Sequence, residues 1–144
     1  MEPGIDYIGV GVGAVIVNDD GKVFLAKRGK KARNEQGTWK IPGGAVEFGE
    51  QLEEALRREI KEEHDIDIEI IKLLNVSNHI ISEEKQHWVA PIFLCKITQG
   101  TPKIMEPDKC EEIGWFNLEE IQELPLAPST KENFETFSSE IRAV

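Results

Sequence analysis

Residues 50–64 read EQLEEALRREIKEEH, and no other segment limits the possible folds as tightly. At about 100° per residue, Leu52, Ala55, Leu56 and Ile60 fall on one stripe, the pattern of a helix that buries one face. Glu59 lies inside that stripe, and Glu62 and Glu63 continue it through the last turn. The stripe is therefore apolar in the first half of the helix and carboxylate in the second. Carboxylates at helical spacing repel one another, and a partly buried anion needs a partner. Arg58 can neutralise one of the three. A hard divalent cation would satisfy them together, because Mg²⁺ takes oxygen ligands and keeps positions for water and phosphate oxygens. The alternative is a helix end that runs into solvent with an ordinary glutamate-rich face.

The chain has 144 residues, with 27 Asp plus Glu against 17 Lys plus Arg, a net charge of −10. That length fits one domain spanning 1–144 with a core of its own. The acidity argues against a nucleic-acid polymer or an anionic membrane surface as partner. It does not oppose a small phosphorylated ligand brought in by a metal ion. No segment reaches the roughly 20 apolar residues of a membrane helix, and residues 1–6 lack the basic-then-apolar pattern of a signal peptide. Cys95 and Cys110 fit no metal or redox spacing and read as reduced thiols of a cytoplasmic protein. His64, His79 and His87 show no metal spacing either.

Residues 5–17 alternate, with Ile8, Val10, Val12, Ala14 and Ile16 on one face and Gly9, Gly11 and Gly13 on the other, which predicts a strand. Asn18-Asp19-Asp20-Gly21 reads as a turn, after which 22–27 pairs back as a second strand. Gly9, Gly11 and Ala14 match the dinucleotide pattern G-x-G-x-x-A. The pattern needs a helix starting within it, and here the strand runs on through Val15-Ile16-Val17. Further strands are expected near 66–77, 87–97 and 111–116. Short helices are expected at 118–123 and 129–141, the second capped by Pro128-Ser129-Thr130. Strands mixed with helices give an α/β layered domain.

Gly44, Glu50, Arg58-Glu59-Ile60, Glu62-Glu63 and Ile66 keep the spacing G-x5-E-x7-R-E-U-x-E-E-x-G-U, where U is bulky and apolar. This segment resembles the signature of the Nudix hydrolases. Asp65 departs from it where the pattern has its second glycine, at a helix end that favours the left-handed conformation; Asp tolerates that better than most residues. Trp39-Lys40-Ile41-Pro42-Gly43 before the helix and Trp115-Phe116-Asn117-Leu118-Glu119-Glu120 after it also look like this family. The resemblance implies an α/β/α sandwich with a mixed sheet, and metal-dependent hydrolysis of a nucleoside diphosphate linked to another group. It implies that Glu59, Glu62, Glu63 and the Gly43 carbonyl hold Mg²⁺ or Mn²⁺, that Arg58 orients Glu59, and that Glu50 supports the loop or an outer metal. Gly44 belongs to the same turn. Which acid deprotonates the attacking water stays open among Glu62, Glu63 and an acid outside the helix. Such an extra acid often comes from a later strand or loop in this family, and Glu111 is the candidate, set by alternation beside Ile113 and Trp115; an exposed edge glutamate is the other reading.

Residues 22–33 carry Lys22, Lys27, Arg28, Lys30, Lys31 and Arg33 and no acid. By resemblance Arg28 is the best phosphate contact, suited to a bidentate fork. Lys30, Lys31 and Arg33 form a solvated loop face, and Lys40 is a further phosphate candidate. Trp39, Trp88 and Trp115 can each stack on a base or pack in the core, the latter favoured for Trp115. Ser129 and Thr130 occupy a region that reads the base in some related enzymes, and capping explains them equally well. The stretches 87–93 and 106–111 look like the branch that cleaves ordinary or oxidised (deoxy)nucleoside triphosphates. Ile81 stands where ADP-ribose-cleaving members often have proline. The expectation is a nucleoside triphosphate pyrophosphohydrolase, with ADP-ribose or a nucleotide sugar as the alternative substrate, and a non-catalytic nucleotide sensor as the alternative of another class. A homodimer is left open.

Overall fold

The computed structural model describes residues 1–32 and 36–142, without the side chains of Ser129, Thr136, Phe137, Ser139 and Arg142. Arg33 thus lies outside the described residues. The elements run β1 (Gly9–Ile16), β2 (Val23–Arg28), β3 (Trp39–Lys40), β4 (Gly43–Ala45), α1 (Leu52–His64), β5 (Asp67–Ile81), β6 (Gln86–Gln99), β7 (Cys110–Phe116), α2 (Leu118–Gln122) and α3 (Pro128–Arg142). A mixed sheet has the order β4-β1-β6-β5, with β1 and β6 parallel, and an antiparallel sheet has the order β3-β2-β7.

β1 is buried on both faces, which is why it alternates only in part. Val12, Ala14 and Ile16 pack with Ala55, Leu56 and Ile60 of α1. Val15 joins Leu25, Ile92 and Leu94 under Leu118 and Ile121 of α2 and Phe134 and Ile141 of α3. Helices on both sides of the strands make the α/β/α sandwich. The dinucleotide-like glycines sit inside this continuous strand, with no helix starting among them. Ile8 and Val10, which alternation puts on one face with Val12, Ala14 and Ile16, are exposed, and the strand starts at Gly9 rather than Ile5.

The second strand does not pair back on the first. Both edges of β1 are taken, by β4 and β6, and only Val17 and Val23 bridge across the turn. The turn at 18–21 hands the chain to the other sheet. The region 78–86 is also more ordered than expected: β5 and β6 extend to Ile81 and Gln86 and close through a single 3₁₀ turn, with Lys85 left-handed at φ 53°.

α1 starts at Leu52, with Gln51 and Glu54 in a reciprocal capping box. Glu50 is therefore off the helix and free of its geometry. The other end of α1 behaves as read: Asp65 adopts φ 54°, ψ 45°, and its N–H donates to the Lys61 carbonyl. Asp65→Val should lower stability by about 1 kcal/mol, because a β-branched residue resists this conformation; Asp65→Gly should not, and urea denaturation of the two variants checks it. α3 begins with Pro128, a residue suited to the first helical turn, so Thr130 lies within that turn and does not cap it.

Candidate active site

Arg58 organises the acidic end of the site. Its Nε and Nη2 donate to the two oxygens of Glu50 at 2.7 and 2.8 Å. Nη1 donates to Glu59 at 2.9 Å and to Glu62 at 3.3 Å, and Nη2 also reaches the Ala45 carbonyl at 3.0 Å. One guanidinium thus ties the helix to the loop before it and to β4, a geometry only its planar fork provides. Glu50 is held well below the usual carboxylate range, at about 2, chiefly by its hydrogen bonds from Arg58. The guanidinium is shifted upward by the same pair. Glu59 moves the other way: burial raises its pKa, with Arg58 opposing.

Glu63 sits one turn further on. Its carboxylate accepts the Gly43 N–H at 3.3 Å. Burial pushes its pKa up to about 7, the Lys40 charge opposing and the Glu59 charge adding to the rise. The sign for stability follows. A carboxyl whose folded pKa lies above its ordinary 4.5 favours folding fully below pH 4.5, and that contribution is lost as pH rises through 7. The protein without metal should therefore lose stability across pH 4.5–7.

Gly44 sets the distance between β4 and the helix. A Cβ there would lie 2.3 Å from the Glu59 carboxylate. Since that carboxylate is the end of a flexible side chain, Gly44→Ala should displace it at little cost in folding. The expected result is a loss of turnover of about 10²-fold, as for other small misplacements of reacting groups, with a melting temperature within a few degrees of the parent.

These groups open on a cleft of about 540 Å³ lined by Glu59, Glu63, Gly43 and Gly44 on one side and by Arg28, Lys27, Lys31, Lys40 and Lys109 among its other walls. Thr130 and Asn133 of α3 also line it. Of the sequence candidates, Arg28, Lys40, Thr130, Gly43, Gly44, Glu59 and Glu63 therefore share one cavity. Arg58, Glu50 and Glu62 stand behind or beside it, and Lys30 is exposed on its loop. Among the described residues, Trp88 is the tryptophan that lines the cleft; its ring lies across Gly9, where a Cβ would come within 2.5 Å of it. Trp39 and Trp115 pack edge-on to Phe116 and Phe24 in the core.

Glu111 is exposed and does not line the cleft. Alternation from Ile113 and Trp115 fails there because β2 and β7 slip register: Lys27 opposes Glu112 and Arg28 opposes Cys110, leaving Glu111 as the extra residue of a bulge. Glu106 lines the cleft instead, and its charge acts on both Glu59 and Glu63. The loop that carries it is stitched to the end of α1. Met105 N–H donates to the Glu63 carbonyl at 3.1 Å, Lys103 N–H to the His64 carbonyl at 3.0 Å, and the His64 ring bonds the Lys103 carbonyl at 2.8 Å. His64 continues the buried stripe of α1, and burial lowers its pKa.

Among the described residues, no three His, Cys, Asp or Glu side chains are grouped so that they could hold a metal ion as they stand; Glu59 and Glu62 are held by Arg58. The chemistry of the donors is nevertheless that of a hard-cation site. Glu59, Glu63 and Glu106 are carboxylates with the Gly43 turn beside them, and burial together with mutual repulsion raises the pKa of Glu59 and Glu63. That is a deficit of positive charge among oxygen donors, which suits Mg²⁺ or Mn²⁺.

Residues 8–137 match the family model of the NUDIX domain. The chain belongs to the Nudix hydrolase family. It is 41% identical to a MutT NUDIX hydrolase from Burkholderia pseudomallei, whose crystal structure superposes with a TM-score of 0.83 over 91% of this chain and 98% of that one. It is 32% identical over 109 residues to an ADP-ribose pyrophosphatase of Methanocaldococcus jannaschii, covering 76% of this chain and 62% of the relative. To the 8-oxo-dGDP phosphatase NUDT18 of Mus musculus it is 33% identical over 105 residues, 72% of this chain and 30% of the relative. Several curated relatives are much longer, and the chain spans 30% to 42% of three of them. Among the described residues no helix of this Nudix domain is long and apolar enough to cross a membrane.

Proposed function

We propose that this chain hydrolyses the anhydride between the α- and β-phosphates of a nucleoside triphosphate, ordinary or oxidised, adding water to release a monophosphate and pyrophosphate. The observation that carries the reading is the meeting in one cleft of Glu59 and Glu63 with Arg28, Lys31, Lys40 and Lys109. Glu59, Glu62, Glu63 and the Gly43 carbonyl would hold Mg²⁺ or Mn²⁺, with Glu106 as the acid from outside the helix. Such an ion lowers the pKa of a water and offsets charge on the phosphates when bound. The chain's own residues do the rest. Arg58 fixes the direction of the Glu59 carboxylate. Arg28 and the cleft lysines orient the phosphates, which is most of what phosphoryl transfer asks of a protein. Glu63, whose carboxylate accepts the Gly43 N–H, and Glu62 and Glu106 are the acids that would take the proton of the attacking water.

The similarity to an ADP-ribose pyrophosphatase supports one other substrate class. A panel of nucleoside triphosphates, nucleoside diphosphates, ADP-ribose and nucleotide sugars, read out by phosphorus NMR, separates the two. Pyrophosphate as product supports the triphosphate reading. Turnover confined to ADP-ribose, giving AMP and ribose phosphate, replaces it.

A further inference from the structure

His64 is the last residue of α1, and its buried ring meets Phe24 edge to face, with 4.9 Å between ring centres. The end of a helix leaves carbonyls without partners inside it. Two of them are met here by the loop that follows β6: Met105 N–H donates to the Glu63 carbonyl at 3.1 Å and Lys103 N–H to the His64 carbonyl at 3.0 Å. Any residue pair supplies such backbone bonds. The third tie needs a side chain. The Lys103 carbonyl lies 2.8 Å from His64 Nδ1, and since a carbonyl only accepts, Nδ1 carries the proton. His64 thus grips Lys103 at both its N–H and its C=O. On the far side of the loop, the Glu106 carbonyl accepts the N–H groups of Lys109 and Cys110, each at 3.0 Å, where β7 begins. Glu106 therefore stands between two fixed points. It lines the cleft, with its carboxylate 3.4 Å from Lys109 Nζ.

We infer that His64 is a positioning residue: its ring latches the 103–106 loop to the end of α1 and holds Glu106 where it joins Glu59 and Glu63 in binding a divalent cation. The inference rests on the reading of the cleft as a metal site, and it adds a residue that acts through Glu106. The Glu106 charge acts on both Glu59 and Glu63, so the three carboxylates share one region of the cleft. Mg²⁺ tolerates little departure from octahedral oxygen geometry. A loop loosened at Lys103 therefore weakens binding even though every carboxylate remains. Partners that orient metal ligands from behind are worth roughly 10–100-fold in metal affinity. Arg58 orients Glu59 in this manner on the helix, and His64 does the same for the loop.

Titration calorimetry of Mn²⁺ into the full chain, without nucleotide, tests this apart from turnover. Glu106→Gln should weaken Mn²⁺ binding by about tenfold or more. His64→Phe keeps a buried ring beside Phe24 but has no donor, and it should weaken binding by about tenfold. In the Glu106→Gln background, His64→Phe should cost less than about twofold, because the carboxylate it positions is gone. His64→Asn, whose amide N–H stands near the place of Nδ1, should restore most of the lost affinity. Should His64→Phe fail to fold, His64→Gln replaces it, since its longer amide carries the donor to the place of Nε2, away from the carbonyl. Wild-type affinity in the folded donor-less variant overturns the inference. The same loss in both backgrounds also overturns it, since His64 would then act on the helix end and not through Glu106. A folded His64→Asn that binds as weakly as His64→Phe does so too. Unchanged binding in Glu106→Gln removes Glu106 from the site, and the inference with it, while leaving Glu59 and Glu63 as ligands. A wild type that binds no Mn²⁺ removes the metal reading itself.

Discussion

Glu63→Gln should remove turnover and stabilise the metal-free protein. The two effects have one cause. The carboxylate is half-buried near the charges of Glu59 and Glu106, and its pKa is driven to about 7, so at pH 8 the folded chain without metal holds an unfavourable charge. Glutamine keeps the shape and removes the charge. Near pH 8 in chelator the variant should be more stable by on the order of 1–2 kcal/mol, and near pH 4.5, where Glu63 is protonated in the folded chain, the difference should vanish. Turnover with Mg²⁺ should fall by about 10³-fold or more, the usual consequence of losing a proton acceptor in a metal-assisted site. Thermal melts across pH 4.5–8 in chelator, paired with activity assays, check both. A variant less stable than the parent at pH 8 would mean that Glu63 does not carry the charge deficit.

Arg58→Ala should be the most destabilising change on the acidic side of the site. It removes the bidentate pair to Glu50, the bonds to Glu59 and Glu62 and the tie to the Ala45 carbonyl in one step. Two carboxylates that are each only 17% exposed then lose their partner. A loss of about 2–3 kcal/mol is expected, seen as a fall in melting temperature of about 5–10 °C. Arg58→Lys should recover little of it, since an ammonium cannot make the two parallel bonds to Glu50. Added Mg²⁺ should restore part of the stability of Arg58→Ala but not its activity, because Glu59 is no longer directed.

α1 was the most legible element, because a 3.6-residue period that turns from apolar to acidic predicts both a buried face and a deficit of charge. The reading of Asp65 as a left-handed helix end rested on the glycine that the family pattern has there, together with the tolerance of Asp for that conformation. Local pattern failed where long-range pairing decides. The turn at 18–21 looks like a hairpin, yet β4 and β6 occupy both edges of β1. Glu111 was placed by alternation, and a one-residue bulge breaks alternation without leaving a mark in the sequence. Glu106 enters the cleft because its loop is anchored to the carbonyls of Glu63 and His64, contacts between segments about 40 residues apart that no local rule reports. Asn133 was missed for a similar reason. A lone asparagine in a helix carries no signal until α3 is laid against β5.

Metal-dependent cleavage of a phosphoric anhydride is the role proposed for the carboxylates at the end of α1. Phosphorus NMR of a nucleoside triphosphate incubated with the protein, with Mg²⁺ and then with chelator in excess, tests it most directly. Signals of a monophosphate and pyrophosphate are expected with Mg²⁺, and an unchanged spectrum with chelator. Equal cleavage in chelator, or no cleavage of any nucleotide with either Mg²⁺ or Mn²⁺, would contradict it.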